Sequence, residues 1–338
     1  MSLLSKTILT ITHKSGVTRF AQKLFPNSLT VLNYHRIDWL ENNQDMFQPN
    51  ISANPPAFEA QMSFIAKWYR VISLEDLTNW LLKNKPLPPQ AALITFDDGY
   101  LDNYLYAFPI LKKYNFPAVI YLTSGYIASD RPFYWDLASF CFFHTQADRV
   151  TLPNNTEKTW RTQQEKQFAL KQWIAAAKLL SEEEKQKWVT ALPEALGVSI
   201  PQEKFATVTL NWEQIQEMRS ANIEFGAHTV NHPILTRVSL NEAHQEMIQS
   251  KKKIEKELNQ PVTSFAYPNG TKADFNLEIA EIAKQSGFAT AFTLLSGPTS
   301  LLSVKRSPYT IRRIFLSNRH TMSHFSILLS PLNRLKSV

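Results

Sequence analysis

The chain has a single cysteine, Cys141, so no internal disulfide framework can hold it and the fold must rest on packing alone. That is compatible with a reducing compartment. No stretch approaches the ~18 continuous apolar residues a membrane span requires. The first residues, MSLLSKTILTITHKSG, carry a lysine but only a brief apolar run with threonines inside it and no small-residue cleavage pattern, which argues against a secretory signal. The expectation is a cytoplasmic protein, at most peripheral to a membrane. Acidic residues are missing from Leu301 to Val338, whereas seven Lys or Arg fall there: Lys305, Arg306, Arg312, Arg313, Arg319, Arg334 and Lys336. The whole net charge of +7 therefore belongs to the tail. With the apolar patch Phe325 to Leu332, such a tail suits an anionic membrane or glycan surface, and a solvated C-terminal helix with an ordinary core face is the alternative. Nucleic acid is not an expected partner. Glycine is also scarce, with eight in all, and Gly99, Gly226 and Gly270 adjoin the polar motifs below, where tight turns or close backbone approach are needed.

What is present is material for a large core, 44% hydrophobic and 12% aromatic residues over 338 positions. Short apolar runs alternate with helical periodicity. Ser28 to Tyr34 reads as a strand ending at His35; Phe58, Met62 and Ile65 recur at helical spacing; Ala91 to Phe96, Pro117 to Thr123, Ile223 to Ala227, Val262 to Tyr267 and Phe288 to Leu294 read as further strands. Ser239 with Glu242 forms a capping box that opens a long amphipathic helix. This alternation predicts an α/β fold, either a distorted (β/α) barrel of about seven units or an open doubly wound sheet. The barrel is favoured because His35, Asp97, Asp98, His228 and Tyr267 all fall at carboxyl ends of strands, the rim where barrel enzymes keep their chemistry. The expected domains are a lead-in at 1–27, the barrel at 28–320 and a basic tail at 321–338. A helical insertion at about 129–207, with helices over Glu157 to Leu180 and Ser181 to Leu196, interrupts the barrel.

Two motifs carry chemistry. In LITFDDGY a buried strand delivers Asp97 and Asp98 into the turn at Gly99; if both acids serve one site, the strand must already be ending at Asp97, because successive side chains on a strand point to opposite faces. In HTVNH, His228 and His232 stand four residues apart, close enough on one turn to share a metal ion, and Pro233 disfavours a longer helix there. His320 and His324 share that spacing but lie in the tail with no carboxylate near in sequence. An Asp with two His leaves a position for water, as in a catalytic zinc site.

FDDGY at 96–100, HTVNH at 228–232 and FAYPNG at 265–270, each after a strand, resemble the successive motifs of the NodB-type polysaccharide deacetylases, the carbohydrate esterase family 4-like group. NYHRI at 33–37 resembles the opening of the branch that acts on poly-N-acetylglucosamine. The resemblance implies a distorted barrel and metal-dependent removal of N-acetyl groups from the amino sugars of a surface polysaccharide or its precursor. It assigns Asp98, His228 and His232 to a divalent ion, zinc first with cobalt or another ion also suited, Asp97 to the general base, and a backbone N–H at Tyr267 to the oxyanion. Tyr267 and Asn269, with Trp135 and Arg313, are the expected substrate contacts; Tyr134, Tyr126 and Trp212 could also stack on sugar faces. The chain departs from the family pattern twice. Ser264 and Phe265 stand where an arginine usually steadies the base, so Arg312 or Arg313 would have to reach it from another direction. No Leu-x-His triplet follows Leu295, so the proton for the leaving amine is assigned to His35, with His320 next. The competing readings are an O-acetyl esterase or linear amide hydrolase on the same site, and a glycan-binding pseudoenzyme.

Overall fold

The computed structural model describes residues 28–329, so the lead-in and the last nine residues of the basic tail lie outside the described residues. Seven parallel segments form the expected distorted barrel. The strands are β1 (Ser28–Tyr34), β2 (Ala91–Asp98), β3 (Ala118–Leu122), β4 (Ile223–Ala227), β5 (Ser264–Ala266), β6 (Thr290–Phe292) and β7 (Ile314–Phe315). β1 to β6 pair in that order, and all of these pairs are parallel. Closure is made by a short segment: Ile311 bridges to Phe292 of β6, and Ile314 pairs with Leu32 of β1. The two residues between those contacts, Arg312 and Arg313, span the seam.

Helices α1 (Pro55–Trp68), α2 (Leu74–Lys83), α3 (Phe108–Tyr114), α4 (Tyr134–His144), α5 (Gln163–Ala177), α6 (Glu182–Ala195), α7 (Trp212–Ser220), α8 (Leu240–Leu258) and α9 (Leu277–Gln285) accompany the strands. Local chemistry sets their ends. Ser73 and Asp76 make a capping box on α2, Asn211 and Gln214 one on α7, and Ser239 and Glu242 one on α8. None of the described helices is long and apolar enough to cross a membrane.

Alternation along the strands divides the core in two. Leu29, Val31, Leu93, Val119, Tyr121 and Phe292 fill the barrel interior, while Leu32, Ile94, Phe96, Ile120, Leu122 and Phe225 belong to the layer that packs with the outer helices. The insertion has a third core of its own, in which Phe142, Trp160, Leu170, Trp173 and Leu192 are buried. It is not wholly helical. Glu157–Thr159 pairs antiparallel with Arg149–Thr151, and α5 begins only at Gln163, where the box between Thr162 and Glu165 caps it. That strong cap, rather than the apolar period upstream, fixes where the helix starts. The tail also differs from a free amphipathic patch. Its helix Met322–Leu328 buries Phe325 against Phe64, with ring centroids 5.8 Å apart, and the carbonyl of buried Leu329 accepts from Tyr69 Oη at 3.0 Å, so these two apolar residues are not available to a membrane.

Gly226, on the inward face of β4, is needed for close approach: a Cβ there would lie 2.3 Å from the ring of Tyr121. Gly226→Ala is therefore expected to destabilise the protein by about 2 kcal/mol through overpacking, read as a lower denaturant midpoint at unchanged m-value.

Candidate active site

The inward face of the strands changes from apolar to polar as it reaches the carboxyl rim. On β2, Leu93 lies in the interior core, Thr95 follows, and Asp97 is next on the same face; on β1, Val31 is followed by Asn33. The seam between β6 and β7 brings in Arg313. Its Nη1 and Nη2 donate to Oδ1 and Oδ2 of Asp97 at 2.6 and 2.8 Å, and its Nε donates to the carbonyl of Thr293 at 3.1 Å. Asn33 Nδ2 adds a third bond to Asp97 Oδ2 at 2.9 Å. Burial alone would push the Asp97 carboxyl up, but Arg313, His228 and His35 outweigh it and bring it down to about 2. Asp97 is an anion throughout the physiological range.

Asp98 would point away from this face if the strand continued. Instead its φ is +76° and that of Gly99 is +78°, so the chain turns out of the strand at the second acid and not before it. Its carboxylate then meets the two imidazoles: Oδ1 lies 3.5 Å from Nε2 of His228 and 3.5 Å from Nε2 of His232. The three ligand atoms lie within 4.8 Å of one another. Atoms about 2.1 Å from one tetrahedral ion are about 3.4 Å apart, so this spacing fits a zinc-sized cation. Other observations agree. Asp98 Oδ1 is buried without a hydrogen-bond partner, and burial with the charges of Asp97 and Asp136 holds its carboxyl well above the usual carboxylate range, a strain a cation relieves. His228 Nδ1 meets the carbonyl of Ala266 at 2.7 Å, which fixes the proton there and leaves the lone pair on Nε2. Burial lowers the pKa of both imidazoles, so both are neutral and able to ligate.

The turn that presents the pair is held from outside. Glu246 on α8 accepts from the backbone N–H of Val230 and of Asn231, each at 2.8 Å, and from Asn231 Nδ2 at 2.6 Å. Gly125 donates to the carbonyl of Val230 at 2.9 Å, and a Cβ at that glycine would fall 2.5 Å from the same oxygen. Thr229 and His232 take positive φ, which bends the turn tightly enough to converge both rings. Neither Glu246 nor Gly125 was visible in the sequence as part of the site, since neither lies in a motif.

Asp98 and His232 open onto a cleft of about 830 Å³, lined also by His35, Trp135 and Asn269, while Asp97 and His228 are buried behind them. His35 follows β1 and is anchored by its neighbours: Arg36 Nε donates to Asp102 at 2.6 Å, and Asn103 Nδ2 donates to the His35 carbonyl at 2.8 Å. Its Nδ1 is buried without a partner. Burial, opposed by Asp97 and aided by Arg313, lowers its pKa to about 4. His320 does not reach the cleft; it faces His324 at 4.5 Å and accepts from Ser317 N–H at 3.3 Å. Trp135 meets His232 in a T-shaped contact with ring centroids 4.9 Å apart while its Nε1 donates to Tyr100 Oη at 2.7 Å, and Tyr134 joins it on the cleft wall. Tyr126 stacks on Phe133 at 4.2 Å and Trp212 packs against the core, so neither lines the cleft.

Two assignments need correction. Tyr267 cannot supply the oxyanion N–H, because that group donates to the carbonyl of Phe292 at 3.0 Å as the ladder of β5 and β6 continues. Its side chain is fully buried against Phe275 and bonded to Tyr309, so it is no sugar contact either. Pro268 has no N–H. The next one belongs to Asn269, which lines the cleft and makes no backbone N–H bond among the described residues. Arg313 is likewise neither at the surface nor against substrate: it has no exposed surface and is spent on Asp97.

The pair of Arg313 and Asp97 makes a signed prediction for the metal-free protein. A carboxylate held near 2 when folded, against an unfolded value of 3.8, contributes about 2 kcal/mol above pH 4, which is lost as pH falls toward 2. In Arg313→Met the buried Asp97 has lost its counterion, so that slope should disappear or reverse, and stability at pH 7 should drop by about 3 kcal/mol. Denaturant titrations of both proteins from pH 7 to pH 3 measure both effects.

Comparison with known proteins gives the family and the fold. The polysaccharide deacetylase family model matches residues 84–291. YxkH of Bacillus subtilis, which bears a polysaccharide deacetylase name, is 22% identical over 308 residues, covering 91% of this chain and 78% of that protein. The poly-beta-1,6-N-acetyl-D-glucosamine N-deacetylase of Staphylococcus aureus is 30% identical over 113 residues, which are 31% of this chain and 39% of the other. Among solved structures, the Streptococcus pyogenes deacetylase PplD superposes with a TM-score of 0.56 at 21% identity, covering 92% of this chain and 98% of its own. IcaB from Ammonifex degensii superposes with 0.56 at 17% identity, covering 90% and 97%. The fold is theirs, and with more than half of its length matched by the family model, the chain belongs to the polysaccharide deacetylase family.

Proposed function

We propose that this protein is a metal-dependent hydrolase that removes N-acetyl groups from amino sugars. The observation that carries the reading is the pairing of a three-ligand site with an adjacent carboxylate that ligates nothing and is kept ionised. Asp98, His228 and His232 would hold a divalent ion, most suitably zinc, which when bound polarises the amide carbonyl and acidifies water beside it. Asp97 takes the proton from the attacking water. Arg313 and Asn33 fix both of its oxygens, so it is aimed without freedom to swing toward the ion. The N–H of Asn269, a cleft-lining residue, would give the oxyanion its second donor. The departing nitrogen needs a proton, without which an amide anion would have to leave; His35, neutral at rest with its Nδ1 uncommitted and more basic than Asp97, would take over the proton that Asp97 draws from water and pass it to that nitrogen. Acetate and a free amine are the products. An exposed binding site that had lost catalysis would have no use for a base built at the cost of a buried arginine.

Three substitutions test the roles by acetate release from N-acetylated glucosamine oligomers. Chelation should abolish turnover and zinc or cobalt should restore it; amine release untouched by chelator would end the metal-dependent reading. Asp97→Asn should retain the metal and lose about 100-fold or more in kcat, whereas His228→Ala should lose both. Metal content by elemental analysis separates the two outcomes. His35→Ala should lower kcat about 100-fold with KM little changed, and a normal rate in that variant would remove His35 from the mechanism.

A further inference from the structure

We infer that the cleft is built for an N-acetylated amino sugar carrying a phosphate ester, so that the substrate is an activated or lipid-linked precursor and not a neutral glycan. This rests on the deacetylase reading above. The inserted helix α5 and the residue that follows it lay one face along the cleft, with Lys166, Lys171 and Lys178 set among Leu170 and Ile174 at helical spacing. Arg319 adds a fourth cation from beyond β7. Against these stands one acidic cleft residue, Asp98, which the metal site claims. Asp45, at the edge of the same loop as Met46, is already neutralised by Lys204 at 2.7 Å and His144 at 3.1 Å.

Lys166 is partly committed, since its Nζ donates to the carbonyl of Thr145 at 2.6 Å and so ends α4. Lys171 and Lys178 make no ion pair among the described residues. Lys178 is half-buried and lines the same cleft as Asp98, His232 and His35. A divalent ion would make this mouth more cationic still. A neutral sugar offers such a field nothing, and each amine freed on a growing polymer would be a further cation that the cleft repels. A phosphate answers it. Ammonium groups act as point charges that suit phosphate without demanding the planar fork of a carboxylate. Leu40, Phe47 and Phe143 extend the lining with apolar surface, which a prenyl chain or a nucleobase would cover.

The test measures kcat/KM for acetate release by the zinc-loaded enzyme from N-acetylglucosamine 1-phosphate, UDP-N-acetylglucosamine and farnesyl diphosphate-linked N-acetylglucosamine, against methyl N-acetylglucosaminide and neutral chitopentaose. At least one phosphorylated sugar should exceed both neutral ones by about tenfold or more, chiefly through KM, and added salt should shrink the gap. Which of them leads distinguishes a nucleotide from a lipid carrier. The gap should collapse in Lys171→Glu, which is exposed and safe for folding, and in Lys178→Met, but not in Lys187→Ala outside the cleft. A neutral sugar used as well as the phosphorylated ones, or a gap that survives both cleft substitutions, would overturn the inference while leaving the deacetylase reading intact. If no sugar releases acetate, the deacetylase reading fails. Calorimetry with N-acetylglucosamine 1-phosphate and with the methyl glycoside then decides the charge preference alone, and equal affinities would refute it.

Discussion

The ion pair between Asp97 and Arg313 ties the chemistry of this protein to the closure of its barrel. The guanidinium comes from the seam, where a short segment joins β6 to β1, and it reaches the strand that supplies the acid pair. A buried arginine and a buried aspartate each cost several kcal/mol to desolvate, and neither is tolerable alone. Once Arg313 is inside, the seam cannot open without stranding both charges. The fold and the ionisation of Asp97 therefore stand or fall together.

The same constraint explains how two adjacent carboxylates differ. Asp97 stays on the inward face, is paired, and has its proton affinity driven down; Asp98 turns out at positive φ, is unpaired, and has its affinity driven up. Sequence neighbours thus become unlike groups, one an anion satisfied by protein and the other an anion waiting for a cation. The imidazoles repeat the theme. The carbonyl of Ala266 and the turn braced by Glu246 decide which nitrogen of His228 is free and where His232 points, so ligand geometry is set by residues that touch no ligand.

Much of this was legible in the sequence where it depended on local pattern. Apolar runs gave the strands, capping boxes gave helix starts, and the rim positions of FDDGY and HTVNH converged as their place at strand ends required. What depended on register across the ring was not legible. Arg313 lies 216 residues from its partner, and no local signal distinguishes it from Arg312 beside it. The two-residue difference between Tyr267 and Asn269 is a matter of where a ladder bond is the last to form, which the motif FAYPNG does not state. Asn33 could have been suspected, being a polar residue on the inward parity of an otherwise apolar strand.

On the proposed reading, the barrel catalyses and the insertion selects. The barrel supplies Asp97, Asp98, His228 and His232, all from strand ends and all within the stretch that the family model matches. Residues 129–207 bring their own core, so they can change surface residues without disturbing the barrel interior. Their α4 sets Trp135 against His232, and their α5 lays lysines beside the same opening. A segment whose core is distinct from the barrel interior and which lines the cleft along one wall can alter charge and shape there at little cost to the residues at the strand ends. Substrate preference within this fold should then follow the face of α5 more closely than the residues that break the bond.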